Sequence, residues 1–169
     1  MTTKKIAVER VTFVSTRPFD DVLGRLDNGI GRTNFAELGR QMNRAATLEE
    51  YESIIRASVG GAELMEFMRL DLGAVLKRYP AATPYRIVRI IAGNPLIMKQ
   101  MVEHAPDAGS YAPVTILVFE REDGVHVSYD TMTSYLADCG SERALRVARD
   151  LDAKVLRLLG KATDSSTAE

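Results

Sequence analysis

Two β-prone segments, Val114–Arg121 and Val125–Thr131, flank Glu122-Asp123-Gly124, and this arrangement constrains the fold more than any other stretch of the chain. Asp-Gly between alternating segments supplies the positive-φ residues that a tight hairpin demands. The two-residue period of a strand then puts Val125, Val127 and Tyr129 on one face and His126, Ser128 and Asp130 on the other. A lone hairpin is marginal in water, so an apolar face of this kind requires more strands and a covering layer.

The rest of the chain supplies both. Lys5–Ser15 reads as a strand rich in Val, Ile, Thr and Phe, with a slip in alternation between Val8 and Val11 that marks a bulge. Pro18 suits a helix's first turn, Asp20 and Asp21 sit where the helix dipole favours carboxylates, and Phe19, Val22, Leu23, Leu26 and Ile30 form one stripe that Gly29 and Gly31 end. Asn34 caps a second helix bearing Phe35, Leu38 and Met42. Thr47-Leu48-Glu49-Glu50 is a capping box opening a third, with Tyr51, Ile54 and Ile55 on its apolar side and Gly60-Gly61 as its stop. Glu63–Leu70 returns to strand, Asp71 caps a short helix through Leu76 to Tyr79, and Tyr85–Ala92 is a β-branched strand. Gly93-Asn94-Pro95 ends that strand and starts a helix to about His104: Asn94 caps, and Pro95 fits the first position because its missing N–H has no helical partner to lose. Ser141 caps a long helix with Leu145, Ala148, Leu151, Val155, Leu158 and Leu159 on one face and Gly160 past its end.

The economical solution is an α+β two-layer sandwich, with one mixed or antiparallel sheet of about five strands and helices packed on one face. The expected organisation is a single domain over residues 1–162, with a helical insertion at 34–60, a C-terminal helix at 141–160 and a disordered polar tail at 163–169.

Composition narrows the function classes. Lys and Arg number 22 against 23 Asp and Glu, for a net charge of −1, and the arginines are scattered along the chain. That balance provides no electrostatic footprint for nucleic acid or an anionic membrane. With one cysteine, Cys139, no intrachain disulfide forms; with two histidines besides, a zinc site built from Cys and His alone would consume every such residue. The longest apolar stretches, Ile87–Ala92 and Val114–Phe119, are too short to span a bilayer. Met1-Thr2-Thr3-Lys4-Lys5 leads into an alternating segment rather than an apolar signal core, so the expected location is the cytoplasm.

The stretch from Gly93 to Ala137 carries a family resemblance. Ala92-Gly93-Asn94-Pro95, His104-Ala105-Pro106, Ala112-Pro113, Val118-Phe119-Glu120, Asp123-Gly124, Val127-Ser128-Tyr129-Asp130 and Tyr135-Leu136-Ala137 resemble the uncharacterised bacterial and archaeal family known as domain of unknown function 302, with a weaker likeness at Arg17-Pro18-Phe19-Asp20. The resemblance implies a small two-layer α+β domain and a homodimer. It brings no settled reaction and no catalytic residues.

Three constellations carry possible chemistry. His126, Ser128 and Asp130 have the residue types of nucleophilic catalysis. Neighbours on one strand face lie about 6.6–7 Å apart, however, beyond direct hydrogen-bond reach, and a solvated hairpin face explains the same pattern. Gly93-Asn94-Pro95 opens a helix after a buried strand, a place where free amides and the dipole attract anions. Arg89, between Ile87 and Ile91, and Arg69, after Met65 and Phe67, fall on apolar strand faces. A cation there needs a carboxylate, water, a ligand or an interface, because desolvating it alone is costly. His104, Asp107, His126 and Cys139 have no metal-ligand spacing, and Met65, Met68, Met98 and Met101 read as adaptable core packing that also suits an apolar pocket.

The expected function is a non-enzymatic domain, without cofactor or metal, that binds a small anionic or amphipathic ligand through Arg69, Arg89, Gly93, Asn94, His126, Ser128, Tyr129 and Asp130. The alternatives are an enzyme using the His126/Ser128/Asp130 face with Tyr129 nearby, and a protein-interaction subunit docking through residues 34–60.

Overall fold

Glu122 and Asp123 make the turn of the expected hairpin, with Gly124 opening the second strand: β5 (Val114–Arg121) and β6 (Gly124–Asp130) pair antiparallel, with Arg121 opposite Gly124 and Ile116 opposite Tyr129. Gly124 takes φ +138°, and a Cβ there would stand 2.6 Å from the Ser15 carbonyl oxygen, so the turn admits no side chain. A computed structural model of the protein, describing residues 1–164, extends this pair into a six-stranded mixed sheet. With β1 (Arg10–Ser15), β2 (Ile30–Arg32), β3 (Leu64–Asp71) and β4 (Ile87–Gly93), the order is β1-β6-β5-β4-β3-β2. Only β2 and β3 run parallel.

Two strand boundaries depart from expectation. β1 starts at Arg10 rather than Lys5 because its partner β6 ends opposite it at Asp130; residues 5–8 have no strand to pair with. The sixth strand, β2, takes Ile30 out of the preceding helix. Its Gly31 lies so close to the Ser58 carbonyl oxygen that a Cβ would come within 2.1 Å, an approach reserved for glycine.

Helices α1 (Phe19–Gly29), α5 (Pro95–Val102) and α7 (Glu142–Thr163) cover one face of the sheet. Their apolar stripes meet Val88, Ile90, Ile116, Val118 and Val127, and Val22, Leu26, Ala148, Val155 and Leu159 are fully buried against them. Helices α2 (Phe35–Arg44) and α3 (Leu48–Ser58) have the expected caps: Asn34 Oδ1 accepts from Glu37 N at 3.1 Å and Thr47 Oγ1 from Glu50 N at 3.1 Å. They form a second small core at the β3 end of the sheet, where Leu38 and Ile55 enclose Met65. Short helices α4 (Gly73–Leu76) and α6 (Met132–Tyr135) follow β3 and β6. Across β1, β6, β5 and β4 no helical layer of the described residues covers the second sheet face, which bears Arg10, Thr12, Val14, Arg89, Thr115, Leu117, Phe119, His126, Ser128 and Asp130.

Gly160 is buried within α7 rather than ending it. The helix continues to buried Thr163 and stops at Asp164, whose left-handed φ of 56° is held by the guanidinium groups of Arg17 and Arg25. Thr163 and Asp164 are therefore ordered parts of the fold; the remainder of the tail expected to be disordered, 165–169, lies outside the described residues.

Candidate functional site: an open-face cleft

Strand alternation puts Arg89 of β4, Thr115 and Leu117 of β5, Ser128 and Asp130 of β6 and Arg10 of β1 side by side on the uncovered face. They line a cleft of about 490 Å³ whose rim includes Tyr111 and Tyr135. Those two rings stack with centroids 4.4 Å apart and planes 11° from parallel, which gives the cleft a rigid aromatic border. Arg10 grips Asp130 with two bonds, Nε to Oδ1 at 2.6 Å and Nη2 to Oδ2 at 2.8 Å, and Tyr135 donates to Oδ2 at 3.3 Å. The Arg10 hydrogen bonds hold the Asp130 carboxyl below the usual carboxylate range. Desolvation, then the Asp130 charge, pushes the Tyr135 hydroxyl up.

Arg89 stands apart from this pairing. Its one hydrogen-bond partner is a neutral hydroxyl, Thr115 Oγ1 at 3.2 Å, and no carboxylate lies within ion-pair distance among the described residues. Its guanidinium therefore keeps most of its donor capacity for something else.

A second, apolar cavity of about 250 Å³ lies at the start of α5, lined by Phe67, Gly93, Asn94, Pro95, Ile97, Met98, Met101, Ala112, Pro113, Val114 and Leu151. Pro113 and Val114 form a wall common to both cavities. Gly93 and Asn94 thus border the apolar cavity rather than an anion site. Asn94 Oδ1 accepts from Leu96 N at 2.9 Å and its Nδ2 donates to the Glu63 carbonyl at 3.0 Å, so both ends of the amide are spent on structure. Met98 and Met101 line this cavity, Met65 belongs to the α2–α3 core, and Met68 is exposed.

The other sequence candidates are dispersed. His126, Ser128 and Asp130 do share one face, but each has its own surroundings: His126 Nε2 meets Asp123 Oδ1 at 2.8 Å beside the hairpin turn, its ring stacks on Phe119, and Asp130 is held by Arg10 at the strand's other end. No hydrogen bond joins any two of the three. Arg69 does not share the open face. A bulge between Glu66 and Met68 shifts the alternation, turns Met68 outward beside Ile91, and sends Arg69 to Glu66 Oε2 at 2.6 Å and to Asp27 of α1. Its charge is met by two carboxylates and is unavailable to a ligand. His104 lies beside Glu103 just past α5, Asp107 is in the 3-10 turn Pro106–Ser110, and the Cys139 thiol faces the Ser141 carbonyl. Among the described residues no three His, Cys, Asp or Glu side chains converge on a metal position.

Tyr129 points away from the cleft into the helix-covered core. Its hydroxyl donates to Asp152 Oδ1 at 2.6 Å, and Asp152 also accepts from Met132 N at 2.8 Å and Thr133 N at 2.9 Å, capping α6 from below. Burial, followed by the Asp152 charge, drives the Tyr129 hydroxyl far above its ordinary range. Sequence reasoning missed Asp152. Its signal is positional: four residues after Ala148 and three before Val155, it is a carboxylate on the apolar stripe of a helix.

The family model for domain of unknown function DUF302 matches residues 40–162, nearly three quarters of the chain. The chain belongs to the DUF302 family. The matched span of this DUF302 chain runs through α3, the cleft strands β4, β5 and β6 and most of α7, and leaves β1 outside. Among solved structures it is similar to an uncharacterised conserved DUF302 protein from Bacillus stearothermophilus, at a TM-score of 0.62 and 10% sequence identity, over 90% of this chain and 97% of that one. At that identity the likeness establishes the fold alone. No curated protein matches it. Among the described residues, no helix is long and apolar enough to cross a membrane.

Proposed function

We propose that this DUF302 chain is a non-enzymatic binding domain whose open-face cleft holds a small anionic or amphipathic molecule. The observation that carries the reading is Arg89, a guanidinium on the wall of a cleft of about 490 Å³ with no carboxylate partner among the described residues. Thr115, Ser128, Tyr111 and Tyr135 add hydroxyl groups around it, and Arg10 and Asp130 neutralise each other, leaving the mixture of one unmatched charge, a few oriented polar groups and ring surface that small-molecule sites use. The apolar cavity that adjoins the cleft at Pro113 and Val114 supports an amphipathic ligand, with its anionic group at Arg89 and its apolar part turned toward that shared border. His126 is engaged by Asp123 and Asp130 by Arg10, with no hydrogen bond from either to Ser128, and that speaks against catalysis.

Native mass spectrometry on the freshly purified protein, beside a denatured control, tests the reading. The expected spectrum contains two protomers plus a small adduct lost on denaturation, and Arg89→Leu abolishes the adduct. An unliganded mass, together with no thermal stabilisation by a broad panel of carboxylates and fatty acids, sinks the proposal. Saturation at about a hundredfold over Kd stabilises the fold by roughly 2.7 kcal/mol, well within reach of a thermal shift.

One observation favours a protein-interaction role instead. Phe35 is 53% and Leu48 72% exposed on the α2–α3 pair, where an amphipathic hairpin offers apolar side chains to solvent. A protein partner that survives Arg89→Leu but not Phe35→Ser with Leu48→Ser selects that role.

A further inference from the structure

The cations that look scattered in sequence are gathered at one place by the fold. A cavity of about 340 Å³ opens where the end of α1, the loop before β3 and the last three turns of α7 meet, and Arg25, Lys154, Arg157 and Lys161 line it. Arg25 donates to Asp164 Oδ1 at 2.7 Å and to the Lys161 carbonyl at 3.2 Å, and Lys154 Nζ donates to Glu63 Oε1 at 2.8 Å. Arg157 and Lys161 have no carboxylate within ion-pair distance among the described residues. Glu63 is met by Lys154, and Asp164 by Arg25 together with Arg17, which leaves Arg157 and Lys161 as two positive charges without a carboxylate among the described residues, in a chain whose net charge is −1.

Lys154, Arg157 and Lys161 follow one another at helical spacings of three and four, where like charges repel by a few tenths of a kcal/mol per pair. Cations on a convex surface relieve such repulsion by spreading into water. These converge on a concavity whose floor is glycine backbone, Gly29 and Gly61, with open space where a Gly61 side chain would stand. The loop that forms the floor is held rigidly. Glu63 adopts a left-handed φ of 58°, its amide donates to the Gly60 carbonyl at 2.8 Å, and its own carbonyl is held by Asn94. A preformed basic cavity of this size, with two cations left over, matches a compact, multiply charged phosphate anion rather than a long polyanion. Glu63 and Asp164 at its edges would repel a continuous phosphate backbone.

We infer that this cavity binds the phosphoryl group of a small molecule, with Arg157 and Lys161 as its principal donors. The site is separate from the Arg89 cleft, and neither depends on the other.

Titrating the full chain with inorganic pyrophosphate at low ionic strength, followed by 31P NMR and calorimetry, tests it. The expected result is saturable binding of one pyrophosphate, weakened about tenfold by Arg157→Gln and again by Lys161→Gln, the effect of removing one hydrogen bond to a charged group each time. Arg143→Gln and Arg146→Gln make the same charge change further up α7, outside the cavity, and leave the affinity within about twofold, as does Arg89→Leu. Non-saturable binding, or equal weakening by the Arg143 and Arg146 variants, overturns the inference, because either result means general attraction to a basic helix. Glycerol phosphate and inorganic phosphate serve as comparison arms. Preference for the first assigns the site to an organic phosphate, and preference for the second to the free anion.

Discussion

The two sides of β6 are one strand's thickness apart and have opposite physical characters. Toward the helices, Val125 and Val127 pack into a sealed core, and the one polar group, the Tyr129 hydroxyl, is locked onto Asp152. Toward the cleft, Ser128 and Asp130 sit beside cations and hydroxyls that solvent can reach. A buried polar group must find all its partners inside the protein, so the covered side has a single arrangement. The open side tolerates exchange of partners, and that freedom is what a binding site needs. Stability should therefore be concentrated on one side of the sheet and ligand response on the other.

Neighbouring residues of β5 give the largest contrast. Ile116 is fully buried on the covered side, and Ile116→Ala is expected to cost about 4 kcal/mol in urea unfolding, from lost transfer energy and the cavity left behind. Leu117→Ala, one residue on and facing the cleft, is expected to cost about 1 kcal/mol. Equal costs would mean the open face is covered in solution, as a dimer packed through it would require.

The buried carboxylate comes next. Asp152→Ala strands the Tyr129 hydroxyl and two backbone amides, and about 3 kcal/mol of stability should be lost. Tyr129→Phe leaves the amides satisfied and should cost about 1 kcal/mol. A reversed ranking would show that the hydroxyl, rather than the helix cap, is the critical partner.

On the open side, Asp130 sharpens the comparison through pH. Its carboxyl is depressed in the folded state by Arg10, so its contribution is complete above the unfolded value of about 3.9 and disappears as the pH falls through the lower folded value. The difference in Tm between the natural protein and Asp130→Asn should be constant near neutrality and shrink below about pH 4. A difference that persists at pH 2 would sever Asp130 from its pairing with Arg10.

The smallest effect on stability is expected for Arg89→Leu, within about 0.5 kcal/mol, because its one bond is to a hydroxyl on an exposed surface. That variant should nonetheless lose the thermal response to anionic ligands. A large loss of stability would make Arg89 a structural residue.

Much of this architecture was readable locally. Asn34, Thr47, Asn94 and Ser141 cap helices where their spacing implied, since each accepts from an amide two or three residues on, and such bonds need no distant partner. Arg69 was misread because the Glu66/Met68 bulge inverts the face it occupies, and a bulge is decided by the pairing strand β4. Strand β2 (Ile30–Arg32) escaped notice because three residues carry too little periodicity to announce a strand, and only the chain at the end of α3 creates the tight contact at Gly31.

The sequence by itself determined the periodic elements, their caps, the Asp-Gly hairpin and the sharing of one β6 face by His126, Ser128 and Asp130. These are consequences of residue types a few positions apart. Tertiary structure alone decided which charges are neutralised and which are left over. Arg69 found Asp27, 42 residues away, while Arg89 found only a hydroxyl; Arg25 came to lie beside Lys161, 136 residues on. Coulomb and hydrogen-bond partners are selected by distance in space, and a strand order with helices folded across it sets that distance independently of position along the chain.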